Sequence, residues 1–345
     1  MAQRLRQIVS ILHEISCSNM AESWDNVGLL VNCGFQNEVR RIVVCNDLTD
    51  SVLKAAISSN PPTNLIVSYH PPIFSALKKL DIDNWKERVL IECIKHDISV
   101  FSPHTGLDAK TNGINDWLLS PFKLFHIIPL APKSSPIVGY TVCDLYYSTK
   151  SVDFILRWNF SASSVVSEDT HKCLRFKVPN EKLEEIRQEA LKSDLELQVR
   201  ASYPSQEIKH GCGRLGILDS ENKLNIAQLV ETYKKLLNLP YLRVALGVGR
   251  SMQSIVTGIA VCAGSGATLF NQSSQAQLAD VYVTGEASHH EILAWTHLGI
   301  SVLIAGHTNT ERPYLKNQFV SQLREKLPSV EVHFSECDTD PDPIL

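Results

Sequence analysis

No pair of cysteines stands at CxxC spacing, although the 345-residue chain carries nine of them. A zinc ribbon is therefore excluded, and the odd number argues against a disulfide framework. Cys45 in RIVVCND and Cys262 in GIAVCAG lie inside apolar runs and read as reduced core residues of an intracellular protein. No apolar run reaches the roughly 18 residues that suggest a membrane span, so no membrane partner is expected. Neither sign of charge dominates: 33 Lys+Arg face 37 Asp+Glu, a net charge of -4. That offers no basic field for direct nucleic-acid binding. No signal-peptide apolar region with a small-residue cleavage site opens the chain. Its first residues, MAQRLRQIVSILHEI, instead space Leu5, Ile8, Leu12 and Ile15 as one face of a core helix. The expected location is the cytosol or nucleus rather than the mitochondrion.

What is present is an ordinary globular mixture, 44% hydrophobic and 20% charged, long enough for about two domains. Through the first 130 or so residues, short apolar runs alternate with helical spacing. RIVVCND, NLIVSYH and DISVFSPH read as strands. DSVLKAAISSN and NWKERVLIECIKH read as helices. Strands that are apolar on consecutive positions imply a largely parallel sheet covered on both faces. Prolines 129, 132 and 136 in PLAPKSSP mark a linker. A different texture runs from there to Pro204. It has strands at VGYTVCDLYYS, HKCLRFKVP and DLELQVRASYP, and helices at SVDFILRWN and NEKLEEIRQEALKS, the latter with Asn180 as N-cap. The first texture returns at GRLGIL and continues through SIVTGIAVCAG, DVYVTGE and GISVLIAGH to a final helix, a last strand EVHFSECD and a frayed tail DTDPDPIL. The expected architecture is α/β. An N-terminal lobe spans 1–135 and a similar C-terminal lobe spans 210–345, each with a mainly parallel or mixed sheet. Between them, 138–205 forms a small α+β, ferredoxin-like insert.

Chemistry gathers where the apolar runs end. His70 closes IVSYH, His104 closes ISVFSPH and His307 closes SVLIAGH. Asp108 and Glu311 follow the last two by four residues. VYVTGE ends at Glu286, with His289 and His290 soon after, and RIVVCND ends at Asn46 and Asp47. Ligands of open α/β sheets bind beyond the carboxyl ends of the strands. A histidine and a carboxylate four apart share a face if the segment turns helically. Imidazole with carboxylate suits Zn, Mn, Fe(II) or Co, and the lack of cysteine in the set disfavours a structural thiolate site. Asp47 could equally cap the following helix. Gly264, Ser265 and Gly266 in AVCAGSG fit either an anion-holding helix start or a tight turn.

WDNVGLLV, NDLT, SYHPPIF, SPHTGLD, CAGSG, TGEASHHE and GHTNTER occur in the order of the NIF-three-like family, which the chain resembles over nearly its whole length. The family takes its name from a yeast factor that interacts with a transcriptional adaptor. Bacterial members have been labelled type-two GTP cyclohydrolase homologues. The long form with an inserted middle domain is similar to the animal branch. The resemblance implies a two-metal centre between two α/β lobes, within a ring-shaped homohexamer. It implies ligands at His70, Asp108, His307 and Glu311, with His104 lining the site. Where the family usually has two adjacent histidines, this chain has Tyr69 and His70. A phenol with a reference pKa near 10 is a poor ligand at neutral pH, so one metal or two per chain are both open.

A divalent ion in such a site would serve hydrolysis of a nucleotide-like small molecule, with Glu286 or His290 as proton carrier. Two other readings compete: a metal-binding protein without turnover, and an interaction protein that meets transcriptional regulators through protein surfaces.

Overall fold

The computed structural model describes residues 3–133, 140–147, 162–168, 171–179, 182–193, 195–203, 210–219, 221 and 224–343. The chain divides into two compact units, Met1–Lys133 with Lys209–Leu345, and Ser134–Ile208.

The larger unit holds two main sheets. In the first, the order is Glu331–Phe334, Arg41–Cys45, Leu65–Ser68, Ser99–Ser102 and Gly28–Val31. The first four run parallel and the last is antiparallel to its neighbour. Alternate residues of each strand serve two cores. Val43, Cys45, Ile66 and Val100 pack under helices Asp50–Ile57 and Trp85–Lys95. Ile42, Val44, Leu65, Val67 and Phe101 face the opposite core with helix Leu5–Ser16, whose Leu5, Ile8, Leu12 and Ile15 are buried as their spacing predicts. Burial on both faces is what a parallel sheet requires.

The second sheet runs Arg243–Ala245, Ser301–Ile304, Val281–Glu286, Gly258–Ser265, Gly211–Leu218 and Leu124–Pro132. Its three central neighbours, Ser301–Ile304, Val281–Glu286 and Gly258–Ser265, are parallel. The outer strands pair antiparallel. Ile259, Val261, Val281, Val283 and Leu303 belong to the same core cluster as the inner face of the first sheet. Each half of the chain also donates a strand to the other half's sheet: Leu124–Pro132 lies in the second and Glu331–Phe334 in the first. The two sheets are thereby tied into one unit, with the carboxyl ends of parallel strands from both supplying the residues of the site.

The smaller unit is an antiparallel sheet in the order Glu196–Tyr203, Tyr140–Tyr147, His171–Pro179, Ala162–Glu168, with helix Leu183–Lys192. Cys143, Leu145, Val178, Ile186, Ala190 and Leu195 form its core. The helix expected at SVDFILRWN and the cap expected at Asn180 lie outside the described residues. Strand Ala162–Glu168 was not anticipated, because ASSVVSE offers little apolar alternation to read.

Among the described residues, no helix is long and apolar enough to cross a membrane.

Candidate metal centre

Asn46 and Asp47 leave the carboxyl end of Arg41–Cys45, and Tyr69 and His70 leave that of Leu65–Ser68. His104 opens the short helix His104–Ala109 after Ser99–Ser102. From the second sheet come Gly264 near the end of Gly258–Ser265, Glu286 as the last residue of its strand, and His307 beyond Ser301–Ile304. A single 3-10 turn, Thr308–Thr310, then carries the chain to Glu311. The four-residue spacing is thus realised as a turn that sets His307 Nε2 3.3 Å from Glu311 Oε1.

His70, His307 and Glu311 each offer one ligand atom, and these atoms all lie within 4.8 Å of one another. His70 Nε2 is 3.5 Å from Glu311 Oε2. Both imidazoles are backed on the other nitrogen by a carboxylate: Asp47 Oδ1 lies 2.9 Å from His70 Nδ1, and Glu286 Oε1 lies 3.1 Å from His307 Nδ1. A carboxylate at Nδ1 fixes the tautomer and leaves Nε2 as the donor atom, the usual arrangement around a ligated cation. Glu311 is only 2% exposed, and Asn46 Nδ2 donates to its Oε2 at 3.1 Å. Gly264 makes the approach possible. A Cβ there would stand 2.6 Å from Glu311 Oε1 and 3.0 Å from His307 Nε2, and the φ of +63° also favours glycine. The CAGSG glycines therefore serve close approach, and the helix that follows, Ala267–Gln272, is only six residues long.

The charges suit a cation. Burial works against protonation of His307, but the hydrogen bonds and charges of Glu311 and Glu286 outweigh it and push the imidazole up to about 9. His70 is likewise raised, burial being outweighed by Asp47 and Glu311. The carboxylates that favour a proton on these rings would equally favour a divalent ion at their Nε2 atoms. Buried carboxylate, paired imidazoles and supporting carboxylates together make a donor set that fits Zn, Fe, Mn or Co.

Asp108 does not join the three-residue group. Its carboxylate accepts a 2.5 Å hydrogen bond from the Tyr69 hydroxyl, and both residues line the same cavity of about 400 Å³ as the group. Burial, with Glu311 adding repulsion, pushes Asp108 up to about 6. Burial first, then Asp108 and Glu311, hold the Tyr69 hydroxyl well above its usual range, so it remains a donor. His104 also lines this cavity, its Nδ1 2.8 Å from Asp25 Oδ1. Its φ of +28° is a strained conformation for a non-glycine residue at a site. Asp47 and Glu286 line a second cavity of about 610 Å³, which shares His70 and His307 with the first. His289 and His290 are exposed on helix His289–His297 and line neither cavity. Of the two expected proton carriers, Glu286 lines the second cavity and His290 lines neither.

Two contributors escaped the sequence reading. Asp25 sits in WDNVGLLV, which has no metal-ligand spacing to mark it. Asp338 lies in the segment expected to fray, yet it is 7% exposed and its Oδ2 accepts the Asn46 backbone N–H at 2.6 Å. The tail as far as Asp340 is anchored, because Thr308 Oγ1 donates to Asp340 Oδ2 at 3.0 Å.

Similar proteins carry this architecture and sequence. NIF3-like protein 1 of Homo sapiens is 33% identical over 360 residues, covering 98% of this chain and 91% of the relative. NGG1-interacting factor 3 of Saccharomyces cerevisiae is 29% identical, covering 92% and 89%. A solved Bacillus cereus protein related to NIF3 superposes with a TM-score of 0.76 at 22% identity, over 100% of this chain and 99% of that one. The family model described as Duf34/NIF3 (NGG1p interacting factor 3) matches residues 3–341, and the chain belongs to that family.

Proposed function

We propose that the chain holds a divalent cation at His70, His307 and Glu311 and hydrolyses a nucleotide-like small molecule, in the manner of a type-two GTP cyclohydrolase by analogy. One observation supports it above the rest. Two imidazoles from different sheets direct Nε2 at a single buried carboxylate, and each is held from behind by another carboxylate. A bound divalent ion would acidify water and polarise a carbonyl or phosphoryl oxygen. Asp47 and Glu286 orient the rings. Glu286, with 56% of its side chain exposed, is the group able to exchange a proton with solvent at the edge of the site. Asp108 is held by the Tyr69 hydroxyl and stands outside the three-residue group, so we assign one ion per chain, with Tyr69 as the reason a second is not held.

Elemental analysis of the purified chain, followed by incubation with a cell-derived metabolite pool, tests the proposal. The expected result is about one divalent ion per chain and one depleted metabolite. Depletion should be lost after chelation and in His307→Ala. A metal-free protein rejects the centre, and a metal-loaded protein that leaves the pool unchanged rejects the hydrolase.

A second reading is an interaction protein. It is favoured by the name of the yeast relative and by the exposed side chains of Phe74, Leu77, Leu80 and Ile82. Partner capture that survives His307→Ala would favour it. Assembly as a homohexamer is proposed on the family resemblance alone, and light scattering that gives a monomer mass would reject it.

A further inference from the structure

The loop that opens WDNVGLLV holds an aromatic side chain at the metal cavity in an unusual way. Trp24 is 58% exposed, yet its neighbours are pinned. The Asp25 side chain is fully buried, accepting Thr105 N–H at 3.2 Å and Thr105 Oγ1–H at 2.5 Å, and it faces His104 Nδ1. Asn26 Nδ2 donates to the Ile73 carbonyl at 2.6 Å, and the Glu22 N–H donates to Thr105 Oγ1 at 2.9 Å. A free loop could fold an exposed indole away from water, but this one is tied on both sides of Trp24. The indole lines the same cavity as His70, His307 and Glu311. Phe74, 52% exposed, stands 6.0 Å from it, ring centre to ring centre, and the His104 ring lies 6.3 Å from Trp24 and 6.5 Å from Phe74.

The polar lining tells the same story from the other side. Among the described residues, no lysine or arginine lines this cavity, while Glu22, Asp108 and Glu311 do. The neighbouring Lys133 is already paired with Glu22 at 2.9 Å. A polyphosphate would find carboxylates and, among the described residues, no lysine or arginine. An uncharged planar ring would find an indole face. Base–aromatic stacking holds a planar base through its π-face and requires no charge. A cavity of about 400 Å³ is at the small end of ligand sites, suited to a base with one sugar.

We infer that Trp24 is the specificity-determining residue of the metal cavity, and that its ligand is an uncharged planar heterocycle of the nucleobase or nucleoside class. The inference narrows the substrate class of the proposed hydrolase and rests on that reading for the reaction, but not for binding.

The test is equilibrium binding of guanosine, inosine, cytidine and D-ribose to the full-length, metal-loaded protein. Wild type, Trp24→Ala and Trp24→Phe are compared, with metal content, thermal unfolding and light-scattering mass read on the same samples. At least one nucleoside should bind the wild type, and ribose should bind at least tenfold more weakly. Trp24→Ala should weaken the nucleoside about tenfold, and Trp24→Phe should recover most of the loss, with metal content and mass unchanged. The inference is overturned if Trp24→Ala stays within twofold of wild type, if ribose matches the nucleosides, if no nucleoside binds at millimolar concentration, or if Trp24→Ala changes the mass and so places the indole between copies. A Trp24-dependent affinity in a protein that holds no metal would instead sink the metal centre alone.

Discussion

The side-chain amide of Asn46 donates to Glu311 Oε2 at 3.1 Å while its nitrogen lies 3.3 Å from His70 Nδ1 and 3.2 Å from Asp47 Oδ2. One fully buried amide thus touches a candidate ligand, a second candidate ligand and the carboxylate behind it. Replacing Asn46 with alanine removes the donor that neutralises part of the buried Glu311 charge. Residues that support ligands from behind typically cost 10–100-fold in metal affinity when lost. Asn46→Ala should fall within about that range in a chelator competition, with about 1–3 kcal/mol lost in denaturant unfolding of the metal-free protein. Unchanged affinity would remove Asn46 from the centre.

Tyr69 gives a stoichiometric prediction. Its neutral hydroxyl ties up Asp108 at 2.5 Å, where the family pattern places a histidine. An imidazole in that position would supply a second nitrogen beside Asp108. Tyr69→His should raise the bound divalent ion from about one to about two per chain. Tyr69→Phe should not, because it frees Asp108 without adding a donor. Mass spectrometry under native conditions counts the ions directly, and equal counts in the two variants would defeat the prediction.

How far the sequence could be read depended on the kind of signal. Helix Leu5–Ser16 and the strands at 41–45, 65–68 and 99–102 were visible because burial writes itself into apolar spacing. The histidines at strand ends were visible because topology places strand ends at ligand sites. The crossing of strands between sheets was not visible, since Glu331–Phe334 carries no mark of which sheet it joins. The pairing of carboxylates with rings was also hidden. Asp25 and His104 are 79 positions apart, Glu286 and His307 far from periodic, and only folding brings each pair within hydrogen-bonding reach. Spacing suggested Asp108 as a partner of His104, but the helix turns Asp108 toward Tyr69 instead.

A stability prediction lies away from the site. Asp280 Oδ2 accepts Thr257 N–H at 2.6 Å, Thr257 Oγ1–H at 2.7 Å and Gly258 N–H at 3.2 Å, while Oδ1 meets Arg250 Nη2 at 2.5 Å. Partial burial opposes the charge, but the Thr257 and Arg250 bonds outweigh it and hold the carboxyl below its usual range. A carboxyl lowered in the fold stabilises it above the unfolded pKa of about 3.9, and that contribution fades as pH falls through the folded value. Asp280→Asn should therefore cost about 1.5–3 kcal/mol at pH 7, and the gap from wild type should close toward pH 2. Urea unfolding at several pH values reads this, and a gap that widens on acidification would contradict it.

The tail is the last element that bears on the centre. Asp338 Oδ2 accepts the buried backbone N–H of Asn46 at 2.6 Å and lies 3.5 Å from Arg312 Nε, one residue after Glu311. Thr339 and Pro341 wall the second cavity beside His70 and His307. The tail therefore supports both sheets at the point where their ligands meet, through Asn46 from the first and Arg312 from the second. Asp338→Ala strands a buried donor and leaves Arg312 without its carboxylate, which should cost about 1–3 kcal/mol and loosen the metal. Asp338→Asn keeps an acceptor for Asn46 but gives up the charge opposite Arg312, so its loss should be smaller. Truncation after Ser335 should behave like Asp338→Ala in metal affinity while adding exposure of the second cavity. If the truncated chain held its ion as tightly as the full one in chelator competition, the tail would have no part in the centre.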